Sequence, residues 1–212
     1  MQVNDRPAQL GQRVSPSDRV MLDGRPVAMR APSRAPRLLL YHKKAGEIVT
    51  RDDPRGRPSV FEQLPGLHGA RWIAVGRLDF NTSGLLLFTD SGDLAHRLMH
   101  PSFGMKRQYA VRLLGELSEA QKAQLLKGVQ LEDGPAHFDS LEEAGGTGSN
   151  RWYHVELHEG RNREVRRLFE AIGVTVSRLM RIAFGDIELP RNLRQGQYRE
   201  LPAGEIAKLL GR

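Results

Sequence analysis

Cysteine is absent from this 212-residue chain. That removes disulfides, thiolate zinc sites, iron–sulfur clusters and cysteine nucleophiles together. Long apolar runs are lacking as well, and none approaches the roughly 18 residues a membrane-spanning helix needs. No apolar signal core follows Met1, because Asp5, Arg6 and Arg13 interrupt it. There is no GxxxxGK[ST] phosphate loop, and the glycines at 145–148 lead into a strand, not a helix. The expectation is a soluble, cytoplasmic protein: one large domain, or a domain with a small appendage, with 39% hydrophobic residues to build a core.

What the chain does have is positive charge, 32 Lys and Arg against 25 Asp and Glu. Residues 1–57 hold twelve Lys or Arg and six acids, so they carry +6 of the net +7. A second concentration, almost all arginine, runs from Arg151 to Arg181. Guanidinium forks match phosphate geometry and stack on bases, so two such regions point to nucleic acid, RNA in particular. Each run by itself reads better as a solvated basic surface, and it is the pair that favours nucleic acid.

Residues 1–30 read as short strands and turns with too few apolar side chains for their own core. The strands are Met1–Val3, Arg19–Leu22 and Pro26–Met29, turning at Asn4-Asp5-Arg6-Pro7 and Asp23-Gly24. The composition of residues 31–36 marks a linker. From Arg37 on, strands are expected at Leu38–Tyr41, Trp72–Val75, Leu85–Phe88, Tyr109–Leu113, Trp152–Leu157, Val174–Ile182 and Gln197–Leu201. Helices are expected at Ser91–Met99, at Ser118–Lys127 with Ser118 and Gln121 in capping-box spacing, and at Asn162–Ile172. Strands and helices do not alternate, so a mixed, largely antiparallel α+β fold fits better than a doubly wound sheet. Gly145 to Ser149 suits a flexible hairpin tip.

His96 and His100 have metal-ligand spacing, but Arg97 stands where a zinc protease needs Glu and no third ligand offers itself. The informative segment is Val75 to Phe88: an apolar strand, a polar loop with glycine at each end, then a second apolar strand. Asp79 is the only carboxylate of that loop, set among Asn81, Thr82 and Ser83, whose short side chains can fix its orientation. The residues alone leave two readings, an Asx turn between buried strands or a positioned carboxylate. In the helix after Glu159-Gly160, Val165, Leu168, Phe169 and Ile172 form an inward stripe. Arg163, Arg166, Arg167 and Glu170 lie opposite, as a solvated face or as partners for a carboxylate and phosphates.

Gly76-Arg77-Leu78-Asp79 followed by Thr82-Ser83-Gly84-Leu85 resembles the signature of pseudouridine synthases that act on ribosomal RNA. Lys106-Arg107-Gln108-Tyr109-Ala110-Val111 resembles the second motif of that family. Glu159 to Phe169 resembles the third, and Ser177 to Ile182 with Gly185-Asp186-Ile187 the strand and turn after it. Asp53 to Phe61, with Leu64-Pro65, fits upstream. The similarity spans about residues 37–202 and is closest to the RsuA/RluB branch, most like its large-subunit type.

This resemblance implies a cofactor-free isomerase whose partner is 23S ribosomal RNA, with no membrane role, expected as a monomer. Asp79 would be the nucleophile on a flipped-out uridine, Tyr109 would stack on the base and assist C5 deprotonation, and Arg166 would pair with Asp79. RNA contacts are expected from Arg77, Lys106, Arg107, Arg161, Arg163, Arg167, Arg178 and Arg181, and no metal site. Residues 1–30 resemble the second half of the small RNA-binding module found at the N-terminus of this family, here expected to be truncated, with residues 37–212 as the catalytic domain. Against these stand a non-catalytic RNA-binding factor on the same scaffold, which has no need of the Asp79, Tyr109 and Arg166 trio, and an Asp-based phosphoryl transferase, which lacks further acids for Mg²⁺.

Overall fold

The computed structural model describes residues 1–12, 14–15, 17–27, 35–100 and 103–209. The chain divides into two compact units, 1–35 and 36–212. Most of the linker segment at 31–36, and the end of the strand expected at 26–29, lie outside the described residues.

The first unit is a four-stranded sheet of β1 (Gln2–Val3), β2 (Arg6–Pro7), β3 (Val20–Leu22) and β4 (Arg25–Pro26), in the order β2-β1-β3-β4. Both hairpins close through two residues with positive φ, Asn4-Asp5 and Asp23-Gly24. That geometry matches strand twist and favours Asn, Asp and Gly. The Asn4 side chain ties the two hairpins, donating to Asp18 and accepting from the backbone N–H of Arg19. Val3 and Val20 are buried, and most other residues of the unit are exposed.

The second unit is α+β. Its strands are β5 (Leu38–Lys43), β6 (Ile73–Val75), β7 (Ser83–Thr89), β8 (Arg107–Leu114), β9 (Val129–Leu131), β10 (Gly134–Ala136), β11 (Ser140–Thr147), β12 (Asn150–Leu157), β13 (Val176–Phe184), β14 (Ile187–Glu188) and β15 (Tyr198–Glu200). Its helices are α1 (Gly92–Met99), α2 (Glu119–Lys127), α3 (Glu164–Ala171) and α4 (Ala203–Leu209). The main sheet runs β11-β12-β8-β13-β7-β5-β15, with β14 on β13, β6 on β7, and β9–β10 as a separate hairpin. The β7–β13 pair is parallel, and the other pairs of the sheet are antiparallel.

Leu38-Leu39-Leu40-Tyr41 and Leu85-Leu86-Leu87-Phe88 are unbroken apolar runs because β5 and β7 are covered on both faces. Leu39, Tyr41, Leu86 and Phe88 enter one core with Leu125 of α2 and Val165, Leu168 and Phe169 of α3. Leu38, Leu40, Leu85 and Leu87 point the other way, against Leu94 and Leu98 of α1 and Ile206 of α4. Among the described residues, no helix is long and apolar enough to cross a membrane.

Ser118 and Gln121 form the expected capping box, and Gly128 ends α2 with φ +120°. The 145–149 glycines sit at the β11–β12 hairpin, with a bulge between Glu143 and Gly146. The sequence reading passed over β11 and the β9–β10 hairpin. Helix α3 starts two residues later than expected because Arg163 adopts a left-handed conformation, φ +50°.

Candidate active site

The loop between β6 and β7 is held almost entirely through its carbonyls. Lys43, at the end of β5, is fully buried, and its ammonium donates to the carbonyls of Lys44 (2.9 Å), Asp79 (3.0 Å) and Thr82 (2.8 Å). The amide of Gly46 donates to Phe80 O at 2.8 Å. From α3, Arg166 donates to Asn81 O at 3.0 Å and, with its other terminal nitrogen, to Val176 O at 3.1 Å. Four successive carbonyls, 79 to 82, are thus each fixed from outside, with Thr82 N closing the turn onto Asp79 O at 3.0 Å. Buried Leu78 pins the loop into the core.

The loop ends at Gly84, φ +106°, where β7 meets β13. A Cβ there would overlap the backbone nitrogen and oxygen of Arg181. Only glycine permits both the dihedral and the approach.

Burial pushes the Lys43 ammonium down to about 8, while Glu47 and Asp79 pull it back up. Glu47 is itself buried and accepts from the Tyr41 hydroxyl at 2.9 Å and from Lys44 N at 3.1 Å. Arg166 is likewise held below the usual arginine range, first by burial and then by Arg163, with Asp79 and Glu170 opposing. Half-buried Asp79 therefore lies within charge range of two cations, Lys43 and Arg166. Sequence reasoning missed Lys43 as a holder of this loop. A lysine closing an otherwise apolar strand was the available signal.

Beside this loop lies a cleft of about 410 Å³ whose walls include Asp79, Tyr109, Leu179 and Phe184. Arg77, Arg107, Arg161, Arg163 and Arg181 also line it. Tyr109 and Asp79, 30 residues apart in sequence, thus share one cavity.

The remaining expected positions separate. Arg166 forms no ion pair with Asp79 among those of the described residues; its guanidinium is taken up by the carbonyls of Asn81 and Val176, so it orients the loop instead. Arg167 makes a two-point pair with Asp133 at 2.8 and 2.9 Å, which docks the β9–β10 hairpin on α3. Arg161 serves the same hairpin through Pro135 O at 2.9 Å and also meets Glu159 at 2.5 Å. Lys106 pairs with Glu156 at 2.7 Å. Arg107 donates to Met105 O and His158 O, at 2.7 and 2.6 Å, and lies 5.2 Å from the Phe184 ring centre. Arg77 and Arg178 are exposed, as is Arg163, which faces Glu170 at 3.6 Å. Arg181, expected on the RNA-facing surface, is instead 2% exposed. It stands on the central strand β13, whose neighbours on both sides enclose it.

Residues 37–171 match the family described as RNA pseudouridylate synthase. The chain is similar to "Ribosomal large subunit pseudouridine synthase B" of Shigella flexneri, 54% identical over 202 residues, covering 94% of this chain and 70% of that protein. It is 52% identical over 212 residues to the protein of the same name from Salmonella typhimurium, covering 99% of this chain and 73% of that one. A solved structure described as a pseudouridylate synthase superposes with a TM-score of 0.74 at 26% identity, covering 98% of this chain and 87% of that one.

Proposed function

We propose that this chain, which belongs to the RNA pseudouridylate synthase family, isomerises specific uridines to pseudouridine in large-subunit ribosomal RNA in the cytoplasm. The observation that carries the reading is the single cleft that holds Asp79 and Tyr109 among arginines, with the Asp79 loop fixed by Lys43 and Arg166. The relatives' names supply the substrate class.

In this reading the target uridine leaves its stack and enters the cleft, which is least costly in a loop or bulge. The Asp79 carboxylate attacks C1′ as the C1′–N1 bond breaks, and the electron pair stays on the uracil ring. The ring turns, C5 bonds to C1′, and Asp79 leaves as a carboxylate. The C5 proton then departs to a base, with Tyr109 placed to assist, and N1 takes up a proton. Nothing is gained or lost overall, so the step needs no redox partner. Lys43 and Arg166 act by holding the loop carbonyls, which aims Asp79, and by keeping positive charge close to it.

Arg77 and Arg163 on the rim are the arginines best placed to meet phosphates. The first unit, with six arginines against three aspartates over residues 1–35, adds a second RNA-contacting surface. The test is pseudouridine mapping of ribosomal RNA from cells with and without the gene, beside tritium release from [5-³H]uridine-labelled large-subunit RNA by the purified protein. Identical maps and no tritium release would refute the assignment.

A further inference from the structure

The cleft contains a cation with no ion-pair partner among the described residues. Arg181 is 2% exposed, and among the described residues no carboxylate lies within ion-pair distance of its guanidinium. Its Nε donates to Leu85 O at 2.8 Å, yet Nη2 is buried with no hydrogen-bond partner. A guanidinium kept for structure alone saturates its donors, because a buried unpaired N–H is expensive. Arg181 is also one of the residues that line the cavity holding Asp79 and Tyr109.

The side chain is also held rigidly. Its backbone is pressed against Gly84 at the end of the nucleophile loop, and its guanidinium lies 5.2 Å from the centre of the Phe184 ring. Tyr109 stands directly opposite it in the β8–β13 register. Burial pushes the guanidinium below the usual arginine range, and Tyr109 draws it back as its main charge and hydrogen-bonding neighbour. An arginine nevertheless stays protonated.

We propose that Arg181 is a catalytic residue: its free Nη2 hydrogens meet a carbonyl oxygen of the bound uracil ring and hold the negative charge that the ring acquires when C1′–N1 breaks. The inference rests on the uridine isomerisation proposed above. The charge appears on the ring as the pair leaves C1′ and disappears from it once C5 has bonded to C1′. A fixed, preorganised donor stabilises that transient charge better than water, which must reorient to do so. Arg181 thus divides the work with Asp79, one holding the sugar carbon and the other the departing ring.

The experiment compares wild type with R181M, R181K and R181A on large-subunit ribosomal RNA transcripts containing [5-³H]uridine. Single-turnover tritium release, filter binding and thermal melting are measured for each. R181M is expected to slow release about 100-fold or more, the usual effect of removing one such donor, with RNA affinity within about threefold of wild type. R181K retains the charge without the fork and covers the case in which R181M does not fold; it is expected about tenfold slower. Added guanidinium at millimolar levels is expected to restore R181A, whereas urea, its neutral counterpart, is not. In a Tyr109→Phe background the R181M defect is expected to persist.

An active wild type with R181M within threefold of its rate overturns this inference alone, as does an R181K of full rate melting with wild type. Equal responses to guanidinium and urea also overturn it, and so does a defect that vanishes in Tyr109→Phe, which would place Arg181 upstream of the tyrosine. A wild type that releases no tritium overturns the isomerase reading itself.

Discussion

Replacing Lys43 with methionine keeps a long apolar stem in the core but removes the ammonium that gathers the Asp79 loop. Three carbonyls, of Lys44, Asp79 and Thr82, lose donors at 2.8 to 3.0 Å. Hydrogen bonds to a charged group contribute about 1.5–3 kcal/mol each, roughly 5–9 kcal/mol together. Against this, the net lowering of Lys43 to about 8 from 10.5, burial outweighing Glu47 and Asp79, corresponds to about 3 kcal/mol of penalty at 1.36 kcal/mol per unit, and that penalty disappears. The net loss is about 2–6 kcal/mol. At about 2–4 °C per kcal/mol for a domain of this size, the expected fall in Tm is on the order of 10 °C.

The pH dependence gives a second readout of the same residue. Its folded-state pKa lies below the free value, so between about pH 8 and 10.5 the unfolded chain binds the extra proton. This group's penalty is complete below about pH 8 and is lost as pH rises through that window, so its contribution to stability increases with pH. Activity moves the other way, because the neutral amine no longer supplies a charge beside Asp79 or a third donor to the loop. Wild type is therefore expected to show an alkaline loss of single-turnover rate centred near pH 8, absent from the residual activity of K43M. Melting of K43M within 2 °C of wild type, at a rate within threefold, would refute the loop-clamp argument.

The elements legible in the sequence were those whose signals are local. The Ser118–Gln121 box and Gly128 stop marked α2, and the double-faced apolar runs marked β5 and β7. Strand β11 was missed because Glu142, Glu143 and Ala144 to Thr147 are exposed, leaving no alternating apolar face to read. The site was legible as a motif and illegible as geometry. Asp79 and Tyr109 come together only because β7 and β8 both flank β13, a pairing that no local spacing announces. Arg166 and Arg181 illustrate the same limit. Helix periodicity placed Arg166 on the polar face of α3, but its acceptors are two carbonyls, Val176 O and, in a loop 85 residues away, Asn81 O. Arg181 was grouped with the basic surface by composition, and the parallel β7–β13 pairing buried it.

Asp79→Asn is expected to abolish tritium release while RNA affinity stays within a few-fold, since the change is isosteric and removes only the nucleophilic charge; retained turnover would refute the mechanism. Arg166→Ala is expected to lower the rate far more than affinity by freeing Asn81 O, whereas Arg163→Ala on the exposed rim weakens binding with a shallower salt slope. Indistinguishable variants would remove that division of labour. Gly84→Ala combines a dihedral of φ +106° with overlap against the Arg181 backbone; strain and overpacking together suggest a loss of about 2–5 kcal/mol, and a melting curve like wild type would contradict it. Deletion of residues 1–34 is expected to leave a cooperatively folding protein with Tm within a few degrees of the full chain. Every buried member of both core clusters lies at residue 38 or beyond, and the Asp79 loop and its holders all lie within residues 43–184. The same deletion removes six arginines and three aspartates, so RNA affinity is expected to fall at moderate salt and the salt slope to become shallower. Loss of the cooperative melt would show that the first unit supports the second, and an unchanged salt slope would show that its arginines do not meet RNA.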